Sequence, residues 1–137
     1  MKKLLSCFVL ICLLSACTSK TTPTYGFSKI NATTLLDKIS AQESFVVMIT
    51  TDDCYACDEY KDKVNAVLQE NKLSVYELYY DNDNDDTLNQ LRALLGSYSS
   101  FPAVYNVEGG STKSIYEYSR NPKGWKTWLQ AQNLIQN

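Results

Sequence analysis

Cys54 and Cys57 are the residues in this chain whose type and spacing best suit chemistry. Three positions apart on a helix, two sulfurs share one face and can close a small disulfide ring. What precedes them fixes where that helix begins. Phe45 to Ile49 is an unbroken apolar run rich in β-branched residues, which predicts a strand buried on both faces. Thr50 to Asp53 supply turn and cap chemistry, and from Cys54 onward Tyr60, Val64 and Val67-Leu68 recur at helical spacing. The two cysteines are thus expected in the first turn of a helix that springs from a buried strand. Unpaired N–H groups and the partial positive charge of that helix start favour a thiolate at Cys54. This combination predicts a redox pair, with Cys54 attacking and Cys57, one turn deeper, resolving.

Composition narrows the alternatives. The 137 residues, 45% of them hydrophobic, suffice for one domain with a real core. There is no histidine, which removes Cys-His and Ser-His catalysis and every His-containing metal site. A zinc ion on Cys54 and Cys57 would need two further ligands, from carboxylates or a second copy of the chain. A formal charge of −2 argues against nucleic acid as a partner.

The N-terminus reads as a targeting segment. Lys2-Lys3 form a basic stretch, and Leu4 to Leu14 an apolar one too short to span a bilayer comfortably. It ends in Leu14-Ser15-Ala16-Cys17, which resembles the lipobox of bacterial lipoproteins. The resemblance implies a signal peptide over 1–16 and a lipidated Cys17 whose sulfur carries diacylglycerol, with acyl chains such as palmitate. An ordinary secretory signal cut after Ala16, or an uncleaved anchor, are the other readings. Cleavage removes Cys7 and Cys12 and, with Lys2 and Lys3, takes the formal charge from −2 to −4. Cys54 and Cys57 are then the remaining thiols. Residues 17–28, rich in Ser and Thr, are expected to form the lipidated end and a flexible tether, leaving 29–137 as the domain.

Along that domain, Ile30, Leu35, Leu36 and Ile39 predict a helix capped by Asn31 or Thr33, and Leu73 to Tyr80 a strand with apolar groups on both faces. Asp81 to Asp86 begins like a calcium loop, but Asp86 stands where the turn needs Gly and Arg92 where a bidentate Glu belongs. A solvated loop capping the next helix explains these residues better. That helix carries Leu88, Leu91, Leu94 and Leu95 and stops at Gly96. Pro102 opens a short strand, Glu108-Gly109-Gly110 turns the chain, and Thr112 to Tyr118 returns as its partner. Asn121-Pro122 is expected to cap a last helix whose Trp125, Trp128, Leu129 and Ile135 face the core.

Taken together, the Cys-x-x-Cys after a buried strand, the downstream Pro102 and the hairpin resemble the thioredoxin fold from Lys29 to the C-terminus. The resemblance implies an α/β domain with a mixed four-stranded sheet and helices on both faces. It also implies that Pro102 is cis and faces the disulfide, and that Phe101 offers its backbone to an extended partner segment. No cofactor beyond the Cys54–Cys57 disulfide is implied. With the lipobox, the chain is similar to extracytoplasmic thioredoxin-like lipoproteins, a group that includes accessory proteins of bacteriocin export. The expectation is a monomer held on the cell membrane, or the outer membrane of a two-membrane host, acting on cysteine-containing envelope or secreted proteins. Two departures stand out: Asp53 and Tyr55-Ala56 replace the Trp and Gly-Pro of thioredoxins proper, and the buried Asp that moves protons there falls on Met48. Asp52, Asp53, Asp58 and Glu59 crowd the thiols, with Lys61 and Lys63 a turn away. Carboxylates disfavour a thiolate, which points to a reductase or isomerase; if they only cap the helix and face solvent, the redox poise stays open. The alternative in another class is a non-enzymatic thioredoxin-fold binding module serving a transporter or secretion system.

Overall fold

The computed structural model describes residues 24–136. Its elements run β1 (Gly26–Lys29), α1 (Ala32–Ser40), β2 (Phe45–Thr50), α2 (Tyr55–Glu70), β3 (Ser74–Tyr79), α3 (Asp85–Leu95), β4 (Ala103–Glu108), β5 (Ser111–Glu117) and α4 (Trp125–Ala131). Single 3-10 turns at Tyr80–Asn82 and Tyr118–Arg120 follow β3 and β5. The strands form one sheet in the order β1-β3-β2-β4-β5, with β1, β3 and β2 parallel and β4 and β5 antiparallel. The sheet therefore has five strands where four were expected.

The added strand, β1, begins inside the stretch expected as tether, with Gly26 to Ser28 in it and Lys29 just past it. Its composition is poor in aliphatic residues, and pairing with β3 rather than an apolar pattern defines it. Gly26 N–H donates to Leu73 O at 2.9 Å, and Phe27 packs against Tyr60 with ring centroids 6.4 Å apart. Gly26 has φ +95, and a Cβ there would meet Gln69 and Asn65 side-chain atoms within 3 Å. Upstream, Gln69 and Ser74 side chains donate to the carbonyls of Tyr25 and Thr24 at 2.7 Å each. Residues 24–28 are thus held by the domain. The signal peptide and Cys17 lie outside the described residues.

Alternation along the strands divides the core. Val47 and Ile49 of β2, Leu78 of β3 and Ala103, Tyr105 and Val107 of β4 pack under α1 and α3. Val46, Met48, Val75 and Val104 face the other way, under α2 and α4, with Tyr60, Val64, Leu68 and Leu129. β2 is buried from Val46 through Thr50, as a central strand covered on both faces must be. Trp125, Trp128 and Ile135 join the second cluster, so this aromatic pair serves the core. Asn31 caps α1 through a 2.8 Å bond from Thr34 N, and Gly96 ends α3 with φ +97. The β4–β5 hairpin turns on Gly109 and Gly110, both at positive φ as a two-residue turn requires. Both expected ends of the last helix move: α4 is capped by Gly124, not by Asn121-Pro122, because Asn121 O accepts from Gly124 N and closes a turn first, and it stops at Ala131, leaving Ile135 beyond it.

Candidate functional site

The site is built at the end of the sheet where β2 runs out and β4 begins. After Thr50 the chain turns with Asp53 at φ +53, and Cys54 becomes the N-cap of α2. Its carbonyl accepts from Cys57 N at 3.1 Å and Asp58 N at 3.2 Å, and its Sγ lies 3.2 Å from Cys57 N. Cys54 and Cys57 form a disulfide, with Cα atoms 5.3 Å apart. Cys54 is half-buried, whereas Cys57 is 1% exposed. Only the first sulfur is open to a partner. Between them Tyr55 projects into solvent, 81% exposed.

Asp81, just past β3, holds the turn before Cys54. One carboxylate oxygen accepts from Asp52 N at 2.7 Å and from the Thr51 hydroxyl. These bonds, the Thr51 one first, hold the Asp81 carboxyl below its ordinary value. The acidic run containing it has three structural tasks. Asp83 accepts from Ala32 N at the start of α1, 3.1 Å away, and Asn84 caps α3 by accepting from Thr87 N at 2.9 Å. The run was expected to cap the following helix alone. It secures α1 and the Cys54 turn as well.

The four acids near the thiols separate into two kinds. Asp58 pairs with Lys61 at 3.2 Å and Glu59 with Lys63 at 2.7 Å, while Asp52 and Asp53 face solvent. Lys61 also reaches Glu77 of β3, 2.9 Å away. Burial pulls the Lys61 ammonium down, but Glu77 and Asp58 outweigh it and leave it above its ordinary value.

The second wall is the loop ahead of β4. Phe101-Pro102 is a cis peptide, as expected, and Pro102 is buried. Ile49 pairs with Ala103 across the sheet, which sets Pro102 beside the end of β2 from which the Cys54 turn departs. Pro102 O accepts from Tyr118 N at 3.2 Å, and Phe101 O accepts from the Ser119 hydroxyl. The Phe101 carbonyl thus already has one donor, with its second lone pair free to accept. Glu117, at the end of β5, ties the loop further. It accepts from Ser99 N at 2.8 Å, the Ser99 hydroxyl at 2.9 Å and the Ser100 hydroxyl at 3.1 Å, and lies 3.5 Å from Arg120. Burial pushes its carboxyl up, yet the serine donors and Arg120 bring it below its ordinary value.

The Phe101 ring sits among Tyr98 and Tyr80, with centroids 5.3 and 6.0 Å away. Arg92 lies over both tyrosine rings, at 5.1 and 5.2 Å. Sequence reasoning missed this cluster, Glu117 and the Lys61–Glu77 pair. A signal for the last was present: Glu77 is a carboxylate inside a strand whose neighbours read as apolar on both faces.

Among the described residues no helix is long and apolar enough to cross a membrane. No known family's sequence profile and no curated protein matches the chain. Solved structures do match. A protein described as an oxidoreductase with a thioredoxin fold has a TM-score of 0.62 at 14% identity, covering 77% of this chain and 93% of its own. Thioredoxin f2 of Chlamydomonas reinhardtii has a TM-score of 0.58 at 16% identity, covering 78% and 97%. Thioredoxin O1 of Arabidopsis thaliana, in its oxidised state, has a TM-score of 0.56 at 11% identity, covering 77% and 96%. With its Cys54–Cys57 pair at the start of α2 and its cis Pro102 before β4, the chain has a thioredoxin-like α/β fold.

Proposed function

We propose that the protein is a thiol–disulfide oxidoreductase anchored on the outer side of the cell membrane by lipid on Cys17. One observation carries the redox reading: a disulfide at a helix start with one half-exposed and one buried sulfur. In the reduced protein the helix start stabilises the Cys54 thiolate, which attacks a partner disulfide; Cys57 then displaces the partner. Phe101 and Pro102 form the wall against which an extended partner segment lies. The partners are cysteine-containing proteins of the envelope or secreted through it. Asp52 and Asp53, exposed and without a lysine, disfavour the thiolate, which supports a reductase or isomerase over a strong oxidant.

Reduction of insulin disulfides by the full chain in detergent tests the activity. Turnover that disappears in Cys54→Ser is the expected result. No turnover by the intact protein would instead favour the non-enzymatic binding module. The anchor is tested separately. Cys17→Ser is expected to move the protein out of the detergent phase on partitioning, and unchanged partitioning would remove Cys17 as the lipid site.

A further inference from the structure

The chain enters the fold at one end of the sheet, and the disulfide lies at the other. The Thr24 carbonyl accepts from the Ser74 hydroxyl at 2.7 Å. Ser74 opens β3, and Gly26 pairs with it in parallel register. β2 and β3 run side by side away from this end, with Thr50 level with Tyr79 at the far side. Cys54 stands just beyond Thr50, at the start of α2. The 6 residues of β3 span about 17 Å at the usual strand rise. Entry point and reacting sulfur are thus separated by at least the length of a strand.

This placement matters because the anchor proposed at Cys17 is close to the entry point in sequence. Seven peptide steps join Cys17 to Thr24, which limits their separation to about 25 Å at full extension. Had the whole of 17–28 been tether, the limit would be about 40 Å, and the domain could turn over above the bilayer. The pairing of β1 with β3 removes that freedom. To aim Cys54 at the lipid, the linking stretch would have to run at full length back along the domain. The gap left beneath the site would then be under about 8 Å, less than the roughly 10 Å between two packed sheets. A partner chain does not fit there.

Charge favours the same orientation. Asp52, Asp53, Asp81, Asp85 and Asp86 are exposed at the disulfide end. At the entry end, Glu43 and Glu108 are matched by Lys38 and Lys113, at 2.8 and 3.7 Å. Anionic headgroups repel the first end within about a Debye length, roughly 10 Å, and are nearly indifferent to the second.

We infer that the anchored protein stands with its β1 end towards the bilayer and Cys54 facing outward. It exchanges disulfides with soluble proteins roughly 20 to 40 Å from the lipid surface, not with thiols held at that surface. This rests on both the redox and the anchor readings above.

Two measurements on the lipidated protein in vesicles containing anionic lipid test it. The first is energy transfer to a headgroup-labelled lipid from a fluorophore on a single thiol. That thiol is Cys54 in Cys57→Ser, or position 108 in Glu108→Cys carrying Cys54→Ser and Cys57→Ser. Stronger transfer from position 108 is expected; equal or weaker transfer would overturn the inference. The second uses a phosphatidylethanolamine whose headgroup carries a pyridyl disulfide, with release of the thione followed by absorbance. The reduced protein should consume soluble dipyridyl disulfide as fast in vesicles as in detergent, but the lipid-borne disulfide slowly. About twenty Gly and Ser residues inserted after Pro23 add roughly 25 Å of reach. They should speed the lipid reaction roughly tenfold, since a link too short to span two sites gives almost no effective concentration. The soluble reaction should keep its rate. Equal consumption of the lipid disulfide with and without the insert would overturn the inference while leaving the redox and anchor readings intact. Protein that fails to float with the vesicles would overturn the anchor reading and the inference together. Failure to consume the soluble disulfide would overturn the redox reading and the partner assignment, with the transfer measurement still locating Cys54.

Discussion

The Cys54 turn is held by its own cysteine N-cap, a left-handed Asp53 and a single long-range carboxylate, Asp81, 29 residues beyond Asp52. The Phe101–Pro102 loop, by contrast, is fastened by three groups 16 to 18 residues further along, Glu117, Tyr118 and Ser119. The first wall carries the reacting sulfurs on the rigid start of a 16-residue helix. The second has no reacting atoms and owes its position to the β4–β5 hairpin. On the function proposed above, chemistry and recognition are then separable: damage to one wall should leave the other working.

The strongest break in this comparison is at the sulfurs. Cys54→Ser is expected to reduce insulin turnover to background. Cys57→Ser should retain attack and accumulate a mixed disulfide on Cys54, visible as a covalent adduct on a non-reducing gel. If Cys57→Ser captures nothing and Cys54→Ser stays active, the assignment of the two roles fails.

Next in size is the second wall. Glu117→Ala removes the acceptor of three bonds to Ser99 and Ser100 and should let the Phe101 loop shift. Misplacement by about 1 Å can cost up to roughly 100-fold in rate. Turnover of a protein disulfide is expected to fall by about tenfold, while alkylation of the Cys54 thiolate by iodoacetamide keeps its rate. Equal losses in both assays would show that the two walls are not separable.

A smaller effect should come from pH. The carboxyls of Asp81 and Glu117 are both held below their ordinary values in the fold. Each therefore adds stability that is fully present above its ordinary pKa, about 4. That stability is lost as pH falls through the lower folded value. Thermal melting followed from pH 6 to pH 3 should show Tm falling below about pH 4. Asp81→Asn, which keeps an acceptor oxygen but cannot titrate, should flatten part of that fall.

Smallest of all should be the effect of Tyr55→Ser on stability. At 81% exposure the ring has little burial to lose, and a change within about 0.5 kcal/mol is expected. Any loss of turnover in this variant would then belong to partner contact, since the ring stands between the two cysteines. Urea unfolding with the insulin assay separates these outcomes.

By itself the sequence determined the redox helix, the central strand before it, the hairpin and the likeness to a thioredoxin fold. Each rests on local pattern: an apolar run, helical spacing, Gly-Gly at a turn, a proline at a strand start. Only the tertiary structure decided what depends on partners distant in the chain. β1 exists because β3 pairs with it, and its four residues carry too little pattern to announce a strand. Asp83 caps a helix 51 residues earlier, and Glu117 fastens a loop on the other side of a hairpin. Acidic side chains of this kind look alike in a sequence whether they face water or accept a backbone N–H. Glu77 lies between the two cases: a carboxylate in an apolar strand signals a buried charge, but only the fold shows that its counter-ion stands one turn below Cys57.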